Sequence, residues 1–261
     1  MGVLVGKVAL VTGASRGIGR AIVDRLARDG ASIVVNYHSN EAEADAAVKA
    51  AKAAGGDAIA VKGSIMDVGE VRALFDTTFA KFGRLDILVN NAHAASPRAP
   101  IAEATLEAFD AQFNSVKGSF VAMQEAAKRM ADGGSIVNIT TGMTHLWAPN
   151  ASLYTGSKAA LEQFTRALCK EIGSRGINVN SVAPGLTDTD RVRGQVPGRS
   201  AGSGGGAGMP APTGAHVPGK SQFDRMGTAQ EIAETVAFLV SPAGHWVNGQ
   251  FIGVNGGTVF S

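Results

Sequence analysis

Lys7-Val8-Ala9-Leu10-Val11-Thr12 followed by Gly13-Ala14-Ser15-Arg16-Gly17-Ile18-Gly19 is the stretch whose reading decides the fold. The first six residues form a short apolar run ended by a glycine, which predicts a buried strand. Helical spacing then runs from about Gly17 to Asp29, with Gly30 as a C-terminal stop. Gly13 allows a sharp turn, Gly17 lets backbone approach a pyrophosphate, and Gly19 permits close helix–strand packing. The N–H groups from Ser15 to Gly19 and the positive end of the helix dipole complete a cradle for phosphates. A glycine-rich turn alone is a weak signal. Here it carries the strand before and the helix after that the motif requires.

The same alternation continues along the chain. Strands are predicted at Ser32 to Tyr37, Ala58 to Val61, Asp86 to Asn90, Ser135 to Ile139, Asn178 to Val182 and Gln250 to Val254. Between them lie helical patterns, several opened by capping pairs: Asn40 with Glu43, Asp67 with Glu70, and Thr228 with Glu231. Two further helices run from Thr105 to Met130 and from Leu153 to Ser174. Strands alternating with helices predict an α/β fold, a doubly wound parallel sheet of about seven strands in one domain spanning 1–261. One region, about 186–225, breaks the rhythm. Within it Gly194 to Gly219 is crowded with Gly and Pro and has no periodic apolar face. It reads either as a substrate-side lid or as an insert.

Composition narrows the class. With 261 residues, 45% of them hydrophobic, the chain can bury a full core. A net charge of +2 with no basic block argues against a nucleic-acid partner. No apolar run is long enough to span a bilayer and no leader pattern precedes the first strand, so a cytoplasmic location without a membrane partner is expected. The single cysteine, Cys169, sits in a helical pattern and reads as core filler. No metal site is expected.

Chemistry is suggested first by Tyr154-Thr155-Gly156-Ser157-Lys158 at the head of the Leu153 helix. Residues four apart share a helix face, so the phenol and the ammonium are neighbours. A cation there favours the phenolate and makes Tyr154 a usable acid/base. The second strand ends Asn36-Tyr37-His38-Ser39, without the acid that would hold a free ribose 2′-hydroxyl. Arg16 can reach the same region as a phosphate partner, and Glu41 is assigned to the next helix's dipole. NADP(H) is therefore the expected cofactor.

With these residues assembled, the sequence resembles the short-chain dehydrogenase/reductase family in its single-domain branch, over nearly its whole length. The resemblance rests on Thr12 to Gly19, Asn90-Asn91-Ala92, the Phe113-Asn114-Ser115-Val116-Lys117-Gly118 segment, Tyr154 with Lys158, Pro184-Gly185 with Thr187 and Thr189, and the Asn255-Gly256-Gly257 ending. Within the family it looks like 3-oxoacyl-carrier-protein reductases and polyhydroxynaphthalene or other ketone reductases. The resemblance implies that Tyr154 and Lys158 are catalytic, that Asn114 joins a proton relay, and that Asn90, Ala92, Pro184, Gly185, Thr187 and Thr189 meet the cofactor. It also implies a homotetramer built on the two long helices and a small carbonyl or alcohol substrate.

Three positions depart from the family pattern. Thr141 stands where the catalytic Ser is expected, thirteen residues before Tyr154. Its hydroxyl is retained and its methyl narrows the site. His93 replaces the Gly of Asn-Asn-Ala-Gly and reads as a substrate contact or a tolerated loop side chain. Ser64 replaces an acid near the adenine, where the Ile65 N–H could still serve. Met143, His145, Leu146 and Trp147 are candidates for an apolar substrate pocket, or for ordinary packing. Two alternatives to an NADP(H)-dependent ketone reductase stay open: a non-catalytic dinucleotide-binding sensor, and an NAD-dependent alcohol or sugar dehydrogenase.

Overall fold

Among the described residues nine segments are extended, seven of them built on the apolar runs of the sequence. In the computed structural model, which describes residues 2–95, 98–146, 148–193 and 221–259, these are β1 (Val8–Val11), β2 (Ser32–Tyr37), β3 (Ala58–Lys62), β4 (Ile87–Asn90), β5 (Ser135–Ile139), β6 (Asn178–Pro184), β7 (Thr187–Asp188), β8 (Gly227–Thr228) and β9 (Phe251–Val254). The helices are α1 (Gly17–Arg28), α2 (Glu41–Ala53), α3 (Val68–Phe82), α4 (Leu106–Arg129), α5 (Ser152–Ile172), α6 (Asp190–Arg193) and α7 (Ala229–Val240). Trp147 and the Gly194 to Gly219 stretch lie outside the described residues. The capping pairs do what their spacing predicts. Asn40 accepts from Glu43 N–H, Asp67 from Glu70 N–H, and Thr228 with Glu231 forms a reciprocal box.

Seven strands pair in the order β3-β2-β1-β4-β5-β6-β9, all parallel. Alternate residues serve opposite faces. Ala9, Val11, Ile33 and Val35 pack with α1, α2 and α7, while Leu10, Val34, Leu88 and Ile136 pack with α3, α4 and α5. The chain runs outward from β1 to β3 and then crosses back to place β4 on the other side of β1. Helices leaving β1 and β4 therefore depart to opposite faces, and the carboxyl ends of these two strands open a crevice where ligands bind in such sheets. β7 and β8 form a separate two-stranded pair, Thr187 against Gly227, a short pairing that the sequence pattern does not reveal.

At the amino ends of the central strands, opposite the crevice, Asp86 ties β1 to β4. Its carboxylate is almost fully buried and accepts from Val8 N–H (3.0 Å), Lys7 Nζ (3.2 Å) and Arg84 (2.6 and 2.8 Å). Burial pushes this carboxyl up, but Arg84, the Val8 amide and Lys7 outweigh it and hold it below the usual range. A depressed folded value gives stabilisation that is present above the unfolded carboxyl value of about 3.9 and lost as pH falls through the folded one. Asp86→Asn should lower unfolding free energy by about 1–3 kcal/mol at neutral pH. The deficit should shrink as denaturant titrations move below about pH 4.

Candidate active site

The turn after β1 is fastened from both neighbouring strands. On the β4 side, Thr12 Oγ1 donates to Val89 O (3.3 Å) and accepts from the N–H groups of Asn91 and Ala92, both at 3.0 Å. Asn91 Nδ2 donates to Thr12 O (2.9 Å) and Gly13 O (3.0 Å). On the β2 side, buried Asn36 accepts from Gly13 N–H (3.2 Å) and donates to Val61 O and Gly63 O. Gly13 has φ +60 and Gly17 φ +58, where a side chain would be strained. Gly19 lies so close that a Cβ would come within 2.3 Å of Gly13 O. Thr12 and Asn91 belong to the quoted motifs, whereas the fastening by Asn36 went unread; its signal is a polar side chain at the carboxyl end of an otherwise apolar strand.

This turn fits a dinucleotide's phosphates. α1 has no side-chain cap and no acid in its first turn, whereas α2, α3, α4 and α7 are each capped by Asn, Asp or Thr. Its first N–H groups are left for an anion. Thr189 lies across the crevice, its Cγ2 3.7 Å from where a Cβ on Gly17 would be. Arg16, at the helix cap, and His38 and Ser39, after β2, are exposed at the carboxyl ends of β1 and β2. Glu41, in the first turn of α2, lies near the Tyr37 hydroxyl and helps to raise it.

Farther along, Ser64 Oγ accepts from Met66 N–H, and its own N–H donates to Glu70 (2.7 Å). Ile65 passes directly over α4 at Gly118, where a Cβ would lie 1.6 Å from Ile65 O. Only a glycine admits that crossing.

α5 brings the acid/base pair to the crevice. Ser157, Lys158, Leu161, Glu162 and Thr165 are its buried stripe, and Tyr154 lies half-buried one turn before Lys158. Lys158 is 3% exposed, and its Nζ donates to Ile139 O at the end of β5 (2.7 Å). Thr141, 6% exposed, follows β5, and its Oγ1 accepts from Met143 N–H (3.3 Å). That contact occupies a lone pair and leaves the hydroxyl hydrogen able to donate. Pro184 ends β6; Gly185 N–H donates to Val254 O and Thr187 Oγ1 to Gly185 O, fixing the segment beside it.

Four of the expected site residues have side chains whose surroundings the sequence did not foretell. Asn90 is 2% exposed and gives its side-chain amide to Asn138 (2.8 Å), so its side chain serves the sheet interior. The Tyr37 ring packs into the core beneath α2, and its hydroxyl is raised from its ordinary value by burial first and then by Glu41 and Asp45. His145 packs against Phe251, centroids 4.3 Å apart and rings tilted by 42°, and faces Glu162 (3.7 Å) on α5. Burial pushes Glu162 up in spite of Thr144 and His145.

The fourth concerns α4. Its site-facing residues are Gln112 and Ser115, one turn apart and both fully buried. Ser115 Oγ accepts from Ala94 N–H (3.0 Å) and donates to Ala111 O. Asn114 is half-buried and makes no side-chain hydrogen bond among the described residues. Of the pocket candidates, Met143 stays beside the site, its sulfur 3.6 Å from Arg98. His93, in contrast, comes directly against Tyr154, ring centroids 5.8 Å apart at 68°.

Known proteins with this arrangement agree in fold and length. Residues 13–259 match the family model described as Enoyl-(Acyl carrier protein) reductase. A hydroxynaphthalene reductase-like protein from Metarhizium brunneum is 41% identical over 265 residues, covering 98% of this chain and 96% of that one. A short-chain dehydrogenase from Burkholderia cenocepacia, solved in complex with NADP, superposes with a TM-score of 0.85 at 38% identity, covering 98% of both chains. An angucycline C-6 ketoreductase, LanV, solved with bound NADP, superposes with a TM-score of 0.88 at 37% identity, covering 100% of this chain and 98% of that one. With a family model matched over residues 13–259 and relatives about 40% identical over nearly its whole length, the chain belongs to the short-chain dehydrogenase/reductase family.

Proposed function

We propose that the protein is an NADP(H)-dependent oxidoreductase that interconverts a ketone and a secondary alcohol. The observation that carries the reading is the buried Lys158 ammonium, held by Ile139 O one turn below Tyr154. A buried cation is costly unless it is used. Here it stabilises negative charge on the Tyr154 oxygen.

When bound, NADPH supplies the hydride that reaches the carbonyl carbon. Tyr154 donates its phenolic proton to the carbonyl oxygen as that oxygen gains charge. Thr141 donates a hydrogen bond to the same oxygen through the hydrogen that Met143 N–H leaves unused. Lys158 compensates the phenolate left behind. Reprotonation of Tyr154 from solvent passes the α4 face through Asn114, the relay residue that the family resemblance implies. Tyr154→Phe should lower kcat by about 10²–10⁴ with cofactor affinity nearly intact by fluorescence titration. Thr141→Ser should stay within about threefold of the parent, while Thr141→Ala falls by about 10²-fold. Retained turnover in Tyr154→Phe sinks the assignment.

Preference for NADP(H) over NAD(H) is supported by exposed Arg16, His38 and Ser39, by the absence of an acid among residues 36–39, and by the NADP found in the two solved relatives. A guanidinium–phosphate bond contributes about 1.5–3 kcal/mol. Arg16→Ala should therefore lower kcat/KM for NADPH by about 10- to 100-fold and change that for NADH little. Equal losses with both cofactors refute the assignment of Arg16.

The α4–α5 face is proposed as the seat of a homotetramer. Phe120 and Phe164 (5.1 Å) frame an apolar groove with Met123 and Leu168 between these two helices. Phe120→Glu should shift the mass in sedimentation analysis toward smaller species; an unchanged mass removes this face as the contact.

A further inference from the structure

We propose that His93 is a positioning residue: it clasps the uncapped first turn of α5 to α4 and thereby fixes the placement of Tyr154. The family pattern has a glycine here, so the clasp belongs to this chain's own sequence. The inference rests on the reading of Tyr154 as the proton donor.

Hydrogen-bond chemistry assigns the His93 tautomer. Gln112, fully buried, donates its amide nitrogen to Ala95 O (2.8 Å) and more weakly to Ala94 O (3.4 Å). Its Oε1 is therefore the atom that faces His93 Nε2 at 3.0 Å, and an amide oxygen only accepts. Ser157, also fully buried, commits its hydroxyl hydrogen to Tyr154 O (2.8 Å), so it too presents a lone pair to His93 Nε2, at 3.1 Å. Both partners require Nε2 to carry hydrogen. One N–H thus joins the loop after β4, the interior of α4, and the turn of α5 that carries Tyr154.

Two further observations give this clasp work to do. The α5 N-cap is Ala151, which makes no side-chain cap bond, so the first turn lacks the fastening that α2, α3, α4 and α7 have. The His93 ring also lies edge-on to the Tyr154 ring, at 5.8 Å and 68°, which restricts the phenol's side-chain rotation. Misplacement of a reacting group by a fraction of an ångström to an ångström is felt in kcat and hardly in cofactor binding.

The test compares His93→Phe, which keeps a ring and removes the donor, with His93→Gln, which sets an N–H near the Nε2 position. Each is assayed with NADPH against a panel of aromatic and aliphatic ketones. Amide hydrogen exchange of residues 154–158 is followed in parallel and needs no turnover. His93→Phe should lower kcat about tenfold with the KM for NADPH within about twofold, and should speed exchange in the first turn of α5. His93→Gln should recover most of both. Parent-like kcat in a turning-over His93→Phe protein overturns the proposal, as does His93→Gln damage equal to that of His93→Phe. Unchanged exchange in His93→Phe overturns it whether or not a substrate is found. If no ketone is reduced by the parent but exchange responds as described, the ketone-reductase reading fails while the clasp stands. His93→Gly, the family's own residue, serves as the folded control should the Phe variant be insoluble.

Discussion

Everything at this site depends on how the carboxyl end of β1 is closed. The strand must stop, reverse and hand its backbone to a helix within a few residues, beneath a crevice that stays open to solvent. Hydrogen bonds from Thr12, Asn36 and Asn91 accomplish this from both flanking strands. Each is a buried or half-buried polar group whose partners are backbone atoms, so losing one leaves donors and acceptors stranded. The turn is consequently rigid, and the uncapped N–H groups of α1 stay aimed at one place.

A second constraint follows from the sheet order. Because β4 returns to the far side of β1, β5 and β6 extend the sheet away from the glycine turn and carry the chemistry with them. Ile139, at the end of β5, receives the Lys158 ammonium; Thr141 follows two residues later; Pro184 closes β6 beside them. The glycine turn and the residues proposed for proton transfer are thereby carried by one sheet. Beneath them, Asn90, Asn138, Thr165 and Ser181 form a buried polar chain across β4, β5, β6 and α5. That chain sets the register of α5 against the sheet.

Much of this was legible in the sequence where the signal is local. Capping pairs at Asn40, Asp67 and Thr228, apolar strand runs and the glycine turn depend on neighbours within a few residues, and their outcomes match their spacing. Side-chain destinations were less legible. Asn90 and Asn91 are adjacent and alike, yet opposite faces of the chain send one into the sheet and the other onto the glycine turn. His145 reads as a pocket residue by proximity to Thr141, but the helical turn that follows β5 rotates it onto Phe251 and Glu162. On α4, one residue of offset separates Asn114 from the buried Ser115, about 100° around a helix.

The sequence by itself determined the fold class, the phosphate-cradling turn, the Tyr154–Lys158 pair and the departures at Thr141 and His93, because periodicity, glycine placement and helical spacing are properties of short segments. Tertiary structure alone decided which polar side chains face the crevice and which are spent inside the sheet. It also decided that His93, 61 positions before Tyr154 in the chain, lies edge-on to its ring. That meeting arises from the packing of α4 and α5 on one face of a parallel sheet, a contact between segments far apart that no local pattern encodes.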